Sequence, residues 1–162
     1  GGGVGASGGG MGGMGAPGGG GAMPADVLRM VQAYRATLEK NPDDVEANVG
    51  LGNLMFDSAK WSQAIEYYTN ALKRDPGNPD VRIDRAIAYH NLGQDDKARP
   101  EMERVTKENP THKNAWLNLG VVTAGLGDRA TAVAAWEQFL KLEPSGERSD
   151  GIRQELARLK QP

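Results

Sequence analysis

The sequence predicts an all-α fold: a solenoid of stacked helix-turn-helix pairs with a flanking helix at each end. Two observations carry this prediction. Pro42, Pro76, Pro110 and Pro144 stand 34 residues apart without a single insertion. Each closes a segment whose apolar residues recur at helical spacing, and each follows Asn, Asp or Glu. A fixed period of that length marks a repeat array in which one helix pair stacks on the next. Stacked pairs generate an extended curved surface rather than an enclosed pocket, which favours binding over catalysis.

The elements follow in order. Residues 1–24 stand apart: fourteen are Gly and none is charged. Glycine loses the most backbone entropy on ordering, and this stretch has little side-chain surface to offset the loss. A flexible Gly-rich tail is expected, with a reach of roughly 25–30 Å. The alternative is a docking segment anchored by Val4, Met11 and Met14. Residues 25–160 then read as one repeat domain. It opens with a leading helix in residues 25–44, where Pro24 suits the first turn and Asp26 complements the dipole. Val27, Met30, Val31, Tyr34 and Leu38 share one face of that helix, which should run to about Asn41. Three units follow, 45–78, 79–112 and 113–146, broken near Ser58–Trp61, Asn91–Gln94 and Gly125–Asp128. In the last two breaks a Gly permits the left-handed backbone that ends a helix. Residues 147–160 place Ile152, Leu156 and Leu159 on one face, as a terminal cap requires.

Composition narrows the function. The formal net charge is −2 and Lys and Arg are scattered among Asp and Glu, so nothing points to nucleic acid or an acidic membrane surface. The absence of Cys removes disulfides, thiolate metal sites and a Cys nucleophile. No apolar run reaches the length of a bilayer span, so no direct membrane insertion by this segment is expected. The chain begins at Gly1, which reads as a processed form or an expression fragment.

The residues recurring within each unit resemble the tetratricopeptide repeat (TPR), whose pattern is W-x2-L-G-x2-Y, then A-x3-F, then P. The third unit carries Trp116, Leu119, Gly120, Ala132, Trp136, Phe139 and Pro144. The first has Leu51, Gly52, Ala64, Tyr68, Ala71 and Pro76; the second has Ala86, Tyr89, Ala98, Met102, Val105 and Pro110. Met30, Tyr34 and Pro42 look like the second helix of a repeat without its first. The resemblance implies a right-handed solenoid of three full repeats, similar to small bacterial TPR proteins tethered to membrane assemblies, including accessory factors of cytochrome maturation. It places the chain in a bacterial cell envelope, tethered on the periplasmic side, with the cytoplasm as the next choice.

Within the units, Gly52, Ala86 and Gly120 are expected to face Ala64, Ala98 and Ala132 so that the paired backbones approach closely. Trp61, Trp116 and Trp136 read as core. The second unit departs from the pattern. Arg82 and Arg85 stand where Trp and Leu are usual, and Glu101 or Asp84 is the expected partner. Pro100 lies inside the second helix of that unit, which is expected to begin late or bend.

Catalysis finds no support. His90 and His112 are the only histidines, and no Ser-His-Asp spacing, HExxH, phosphate loop or EF-hand series is present. No catalytic residue, cofactor or metal site is assigned. The resemblance instead implies a concave groove lined by the first helix of each pair. Carried over by repeat position, Glu46, Val49, Gly50, Asn53, Phe56 and Asp57 line it in the first unit. Asp80, Ile83, Asp84, Ile87, His90 and Asn91 follow in the second, and Asn114, Leu117, Asn118, Val121, Ala124 and Gly125 in the third. Chaperone-binding TPRs hold a C-terminal carboxylate with Lys, Arg and Asn. Only Asn53 fits that clamp, because Val49, Asp84 and Asn114 replace its other members. The expected partner is another protein or peptide presenting apolar side chains to Val49, Phe56, Ile83, Ile87, Leu117 and Val121. Asn53, Asp84, Asn91, Asn114 and Asn118 would satisfy its backbone or fix its register, with His90 lining the groove beside them. The alternative is a structural subunit of a larger or homo-oligomeric assembly, its groove filled by a neighbour or by its own tail.

Overall fold

The computed structural model describes residues 23–162. The tail and its candidate anchors Val4, Met11 and Met14 lie outside the described residues, apart from Met23 and Pro24. Among these residues there are eight helices and no strand. They are α1 (Ala25–Lys40), α2 (Val45–Asp57), α3 (Trp61–Arg74), α4 (Pro79–Asn91), α5 (Asp95–Glu108), α6 (Lys113–Gly125), α7 (Arg129–Leu142) and α8 (Glu147–Leu159). The fold class read from the sequence is the one observed, an all-α helical repeat. α2 pairs with α3, α4 with α5 and α6 with α7; each pair stacks on the next, and α1 and α8 close the ends.

The period is written into the helix ends. Asp44, Asn78 and His112 stand 34 apart, and each side chain caps its helix by accepting from the backbone N–H three residues on. Such a cap satisfies an orphan donor and contributes about 1 kcal/mol. A second periodic device lies six residues beyond each of the first three prolines. Asn48 Nδ2 donates to the Pro42 carbonyl at 3.0 Å, Arg82 to that of Pro76 at 2.7 Å, and the Trp116 indole to that of Pro110 at 2.7 Å. Arg82 is therefore a chemical substitute for its Trp and Asn counterparts, a donor that ties the inter-repeat turn to the following helix.

The turns inside each pair need one left-handed residue. Gly93 (φ +74°) and Gly127 (φ +81°) supply it, and in the first unit Ala59 does so at φ +55°. Close packing needs glycine elsewhere. A Cβ on Gly52 would stand 2.6 Å from Tyr68, and one on Gly120 would collide with the Trp136 indole. These glycines are met first by the rings of the second helices, rather than by the alanines expected from sequence.

The core is a chain of clusters, each bridging two units. Tyr68, Leu72 and Val81 join the first unit to the second; Ile83, Met102, Val105, Leu119 and Val122 join the second to the third. Trp136, Phe139 and Leu117 pack on Ile152 and Leu156 of α8, which caps the array. Trp136 is buried, whereas Trp61 and Trp116 are half-buried.

The charged interior of the second unit resolves onto one carboxylate. Glu101 accepts from Arg82 and from Arg85, both at 2.6 Å, and Arg85 also reaches Thr69 on α3. Asp84, the other expected partner, takes no part. The reason is angular: at 3.6 residues per turn, Asp84 points about 200° away from Arg82, while Arg85 returns to the same side. Pro100 does not delay α5, which starts at Asp95 and continues through it to Glu108. Pro100 and Asp96 are both exposed, so the one forfeited backbone bond leaves the Asp96 carbonyl to water.

Candidate peptide-binding groove

The twelve candidate groove residues lie on α2, α4 and α6, the first helices of the three pairs, and repeat position decides where each side chain ends up. Val49, Ile83 and Leu117 are equivalent. Val49 is half-buried against the cluster around Tyr68 and Val81. Ile83 is only 2% exposed and packs with Ala115 and Leu119 of α6; Leu117 is 3% exposed and packs with α8. This corrects the expected apolar stripe. That position points at the next unit in the stack, so Ile83 and Leu117 are core and not open surface.

Asn53, Ile87 and Val121 share the position that stays open: Asn53 is exposed, Ile87 half-buried and Val121 37% exposed. Phe56 is half-buried, stacked edge-on against Trp61 with ring centroids 5.1 Å apart. The open apolar surface is thus Phe56, Ile87 and Val121, interrupted by polar groups.

Several of those polar groups are already engaged. Asn91 and Asn118 each donate to a backbone carbonyl one turn back on their own helix, at 3.0 and 2.8 Å. His90 Nδ1 lies 2.6 Å from Asp95. Asn114 accepts from Arg148, whose guanidinium also grips Glu143 at 2.7 Å and holds that carboxyl below the usual range. Asn114 therefore helps to moor α8. The Tyr68 hydroxyl, buried on α3, donates to Asn53 Oδ1 at 2.7 Å. Burial raises its pKa beyond the ordinary phenol range, and Asp84 and Asp57 add to the effect.

Asp84 is the unusual group. Burial pushes its carboxyl from 3.8 up to about 7, Asp80 and Asp57 reinforce the rise, and His112 opposes it. Sequence reasoning missed that Asp57 and Asp84 both act on the Tyr68 hydroxyl and that Asp57 and Asp80 both act on Asp84. The signal was available in the repeat register, which puts all three on the groove side.

Among the described residues no group of three or more His, Asp or Glu is placed to hold a metal ion. No described helix is long and apolar enough to cross a membrane. Two shallow clefts lie away from the groove at the N-terminal end, one lined by Arg35, Met55 and Tyr67 and the other by Met23, Val27 and Leu54.

The helix pairs and their period have a counterpart among known families. A family model described as "Cytochrome c-type biogenesis protein H TPR domain" matches residues 19–149. The chain belongs to this TPR family. Other proteins are similar over part of the chain. The co-chaperone sgt12 of Aspergillus fumigatus is 34% identical over 65% of the chain, and Hsp70-Hsp90 organizing protein 2 of Arabidopsis thaliana 26% identical over 80%. The chain spans only 30% and 24% of those two proteins' lengths. Among solved structures, the first TPR of Spaghetti (RPAP3), bound to the HSP90 peptide SRMEEVD, superposes with a TM-score of 0.66 at 26% identity. That match covers 71% of this chain and 89% of the other. MamA superposes at 0.72 over 83% of this TPR chain and 84% of its own, at 22% identity that speaks to fold alone.

Proposed function

We propose that this TPR chain is a non-catalytic interaction scaffold that holds a helix or peptide segment along α2, α4 and α6. The observation that carries the reading is the open row of Phe56, Ile87 and Val121 on the first helices, flanked by amide and carboxylate side chains. Apolar side chains left partly open together on one face are suited to an interaction site. The TPR of RPAP3, similar in fold, is solved with a peptide bound. The proposal extends to a role in assembly, in keeping with the word biogenesis in the description of the matching family, and to a bacterial cell envelope, tethered on the periplasmic side. The partner is captured by crosslinking from a p-benzoylphenylalanine placed at Val121. Ile87→Ser with Val121→Ser then tests the groove without changing its charge. Loss of the crosslinked partner with an unchanged melting temperature supports the reading; undiminished binding removes it.

A second reading, a subunit of a homo-oligomeric or larger assembly, is favoured by the N-terminal end. Met23, Leu28 and Met30 are 46%, 46% and 47% exposed there, on a half-repeat whose first helix is absent from the described residues. Light scattering that reports a monomer across the accessible concentration range removes the homo-oligomer.

A further inference from the structure

We infer that the groove selects a partner segment carrying a Lys or Arg side chain between apolar ones, the cation seating against Asp84 and the apolar groups on Phe56, Ile87 and Val121. This rests on the groove reading above and names the chemistry of its ligand. The argument is charge complementarity in a groove that is part apolar and part acidic. Asp57 comes from the end of α2, Asp80 and Asp84 from α4, and no Lys or Arg pairs with Asp84 among the described residues. The cations nearest in sequence are committed on the other side of the helix, where Arg82 and Arg85 share Glu101.

His112 cannot substitute for a missing cation. Its Nδ1 accepts from the Ala115 backbone N–H at 3.1 Å, so its proton sits on Nε2 and is donated to Asp80 at 2.7 Å. The Tyr68 hydroxyl is likewise spent on Asn53. Asp84 is left as a half-buried carboxylate without an ion-pair partner among the described residues. Its charge is disfavoured by burial, Asp80 and Asp57, an effect opposed only by His112, and a desolvated guanidinium or ammonium relieves that state. An acidic peptide tail would meet repulsion at the same place.

A cation at Asp84 also makes binding dependent on pH. The groups facing Asp84 are Asp57 of α2, Tyr68 of α3, Asp80 on its own helix, and His112 at the start of α6. Below about pH 7 Asp84 takes up a proton, which disfavours a bound cation.

The probes are an amphipathic model peptide of leucine and lysine and its twin with glutamate replacing every lysine. Both are titrated calorimetrically onto the whole chain at pH 8 and physiological salt. The lysine peptide should bind and the glutamate peptide should not. Asp84→Asn should weaken the lysine peptide by about tenfold or more, as expected for a lost charge-assisted hydrogen bond. Glu66→Gln, on the exposed side of α3, should change nothing and so separates groove binding from general attraction. Going to pH 6 should weaken the wild type and leave Asp84→Asn nearly flat. Equal binding of both peptides, or full affinity in Asp84→Asn, overturns the inference. If both peptides bind equally and Ile87→Ser with Val121→Ser abolishes both, the groove stands and only its charge preference falls. If that folded double variant binds the lysine peptide like wild type, or neither peptide binds at all, both ideas fall.

Discussion

Replacing Asp84 by Asn should stabilise the protein, and the gain should grow with pH. The folded carboxyl is held at about 7 against 3.8 when unperturbed. The folded state therefore keeps a proton that the unfolded chain has already released. Wherever the folded state binds more protons, stability falls as pH rises, here across the window from about 4 to about 7. Three pKa units at about 1.36 kcal/mol each set an upper value of about 4 kcal/mol for the loss. Asn is nearly isosteric and does not ionise, so it escapes that loss. Urea unfolding of both proteins at pH 4.5 and pH 8 provides the measurement. The variant should be close to wild type at the lower pH and more stable by up to about 4 kcal/mol at the higher. The difference between the two proteins cancels the titration of groups that do not interact with Asp84. A variant that is less stable at pH 8, or a gap that does not change with pH, would refute the account of Asp84 as a buried, unbalanced charge.

Three further outcomes follow from the packing. Glu101→Ala strands two arginines beside the core and should cost about 3–5 kcal/mol in chemical denaturation, the range for breaking a buried pair by removing one partner. Gly120→Ala forces a methyl into the Trp136 indole; a cost of about 1–3 kcal/mol is expected, with a shifted tryptophan emission if the ring is displaced. Ala59→Gly removes a left-handed alanine and should raise the melting temperature, the relieved strain being about 1 kcal/mol. No gain there would mean that glycine's added freedom in the unfolded chain cancels it.

Much of the array was readable in the sequence because its signals are local and repeated. The four prolines and the glycines at 93 and 127 report backbone requirements that a single residue expresses by itself. The open and closed sides of α4 were less legible. Ile83 and Ile87 are both apolar and one helical turn apart, yet Ile83 is sealed by α6 while Ile87 remains half open. That difference depends on how far each pair rotates on its neighbour, which no single unit encodes. Asp84 shows the same limit. Its sequence neighbourhood offers two arginines, and only the direction of its side chain reveals that it cannot reach them. Arg82 illustrates the reverse case, since it breaks the family pattern in identity while keeping its hydrogen bond to the proline carbonyl.

The arginine pair on Glu101 has a consequence for modularity. Shape alone would let 34-residue units be shuffled, since their helices and turns coincide. The second unit, however, is matched to its own predecessor: Arg82 takes the Pro76 carbonyl, and Arg85 reaches Thr69. Arg85 Nε already lacks a partner, and a different preceding unit without an acceptor at the position of Thr69 would leave the same guanidinium with a further unanswered donor. The order of these repeats is thus spelled in hydrogen bonds, and a recombined or duplicated array would have to carry this pair of units together, as a single inherited block.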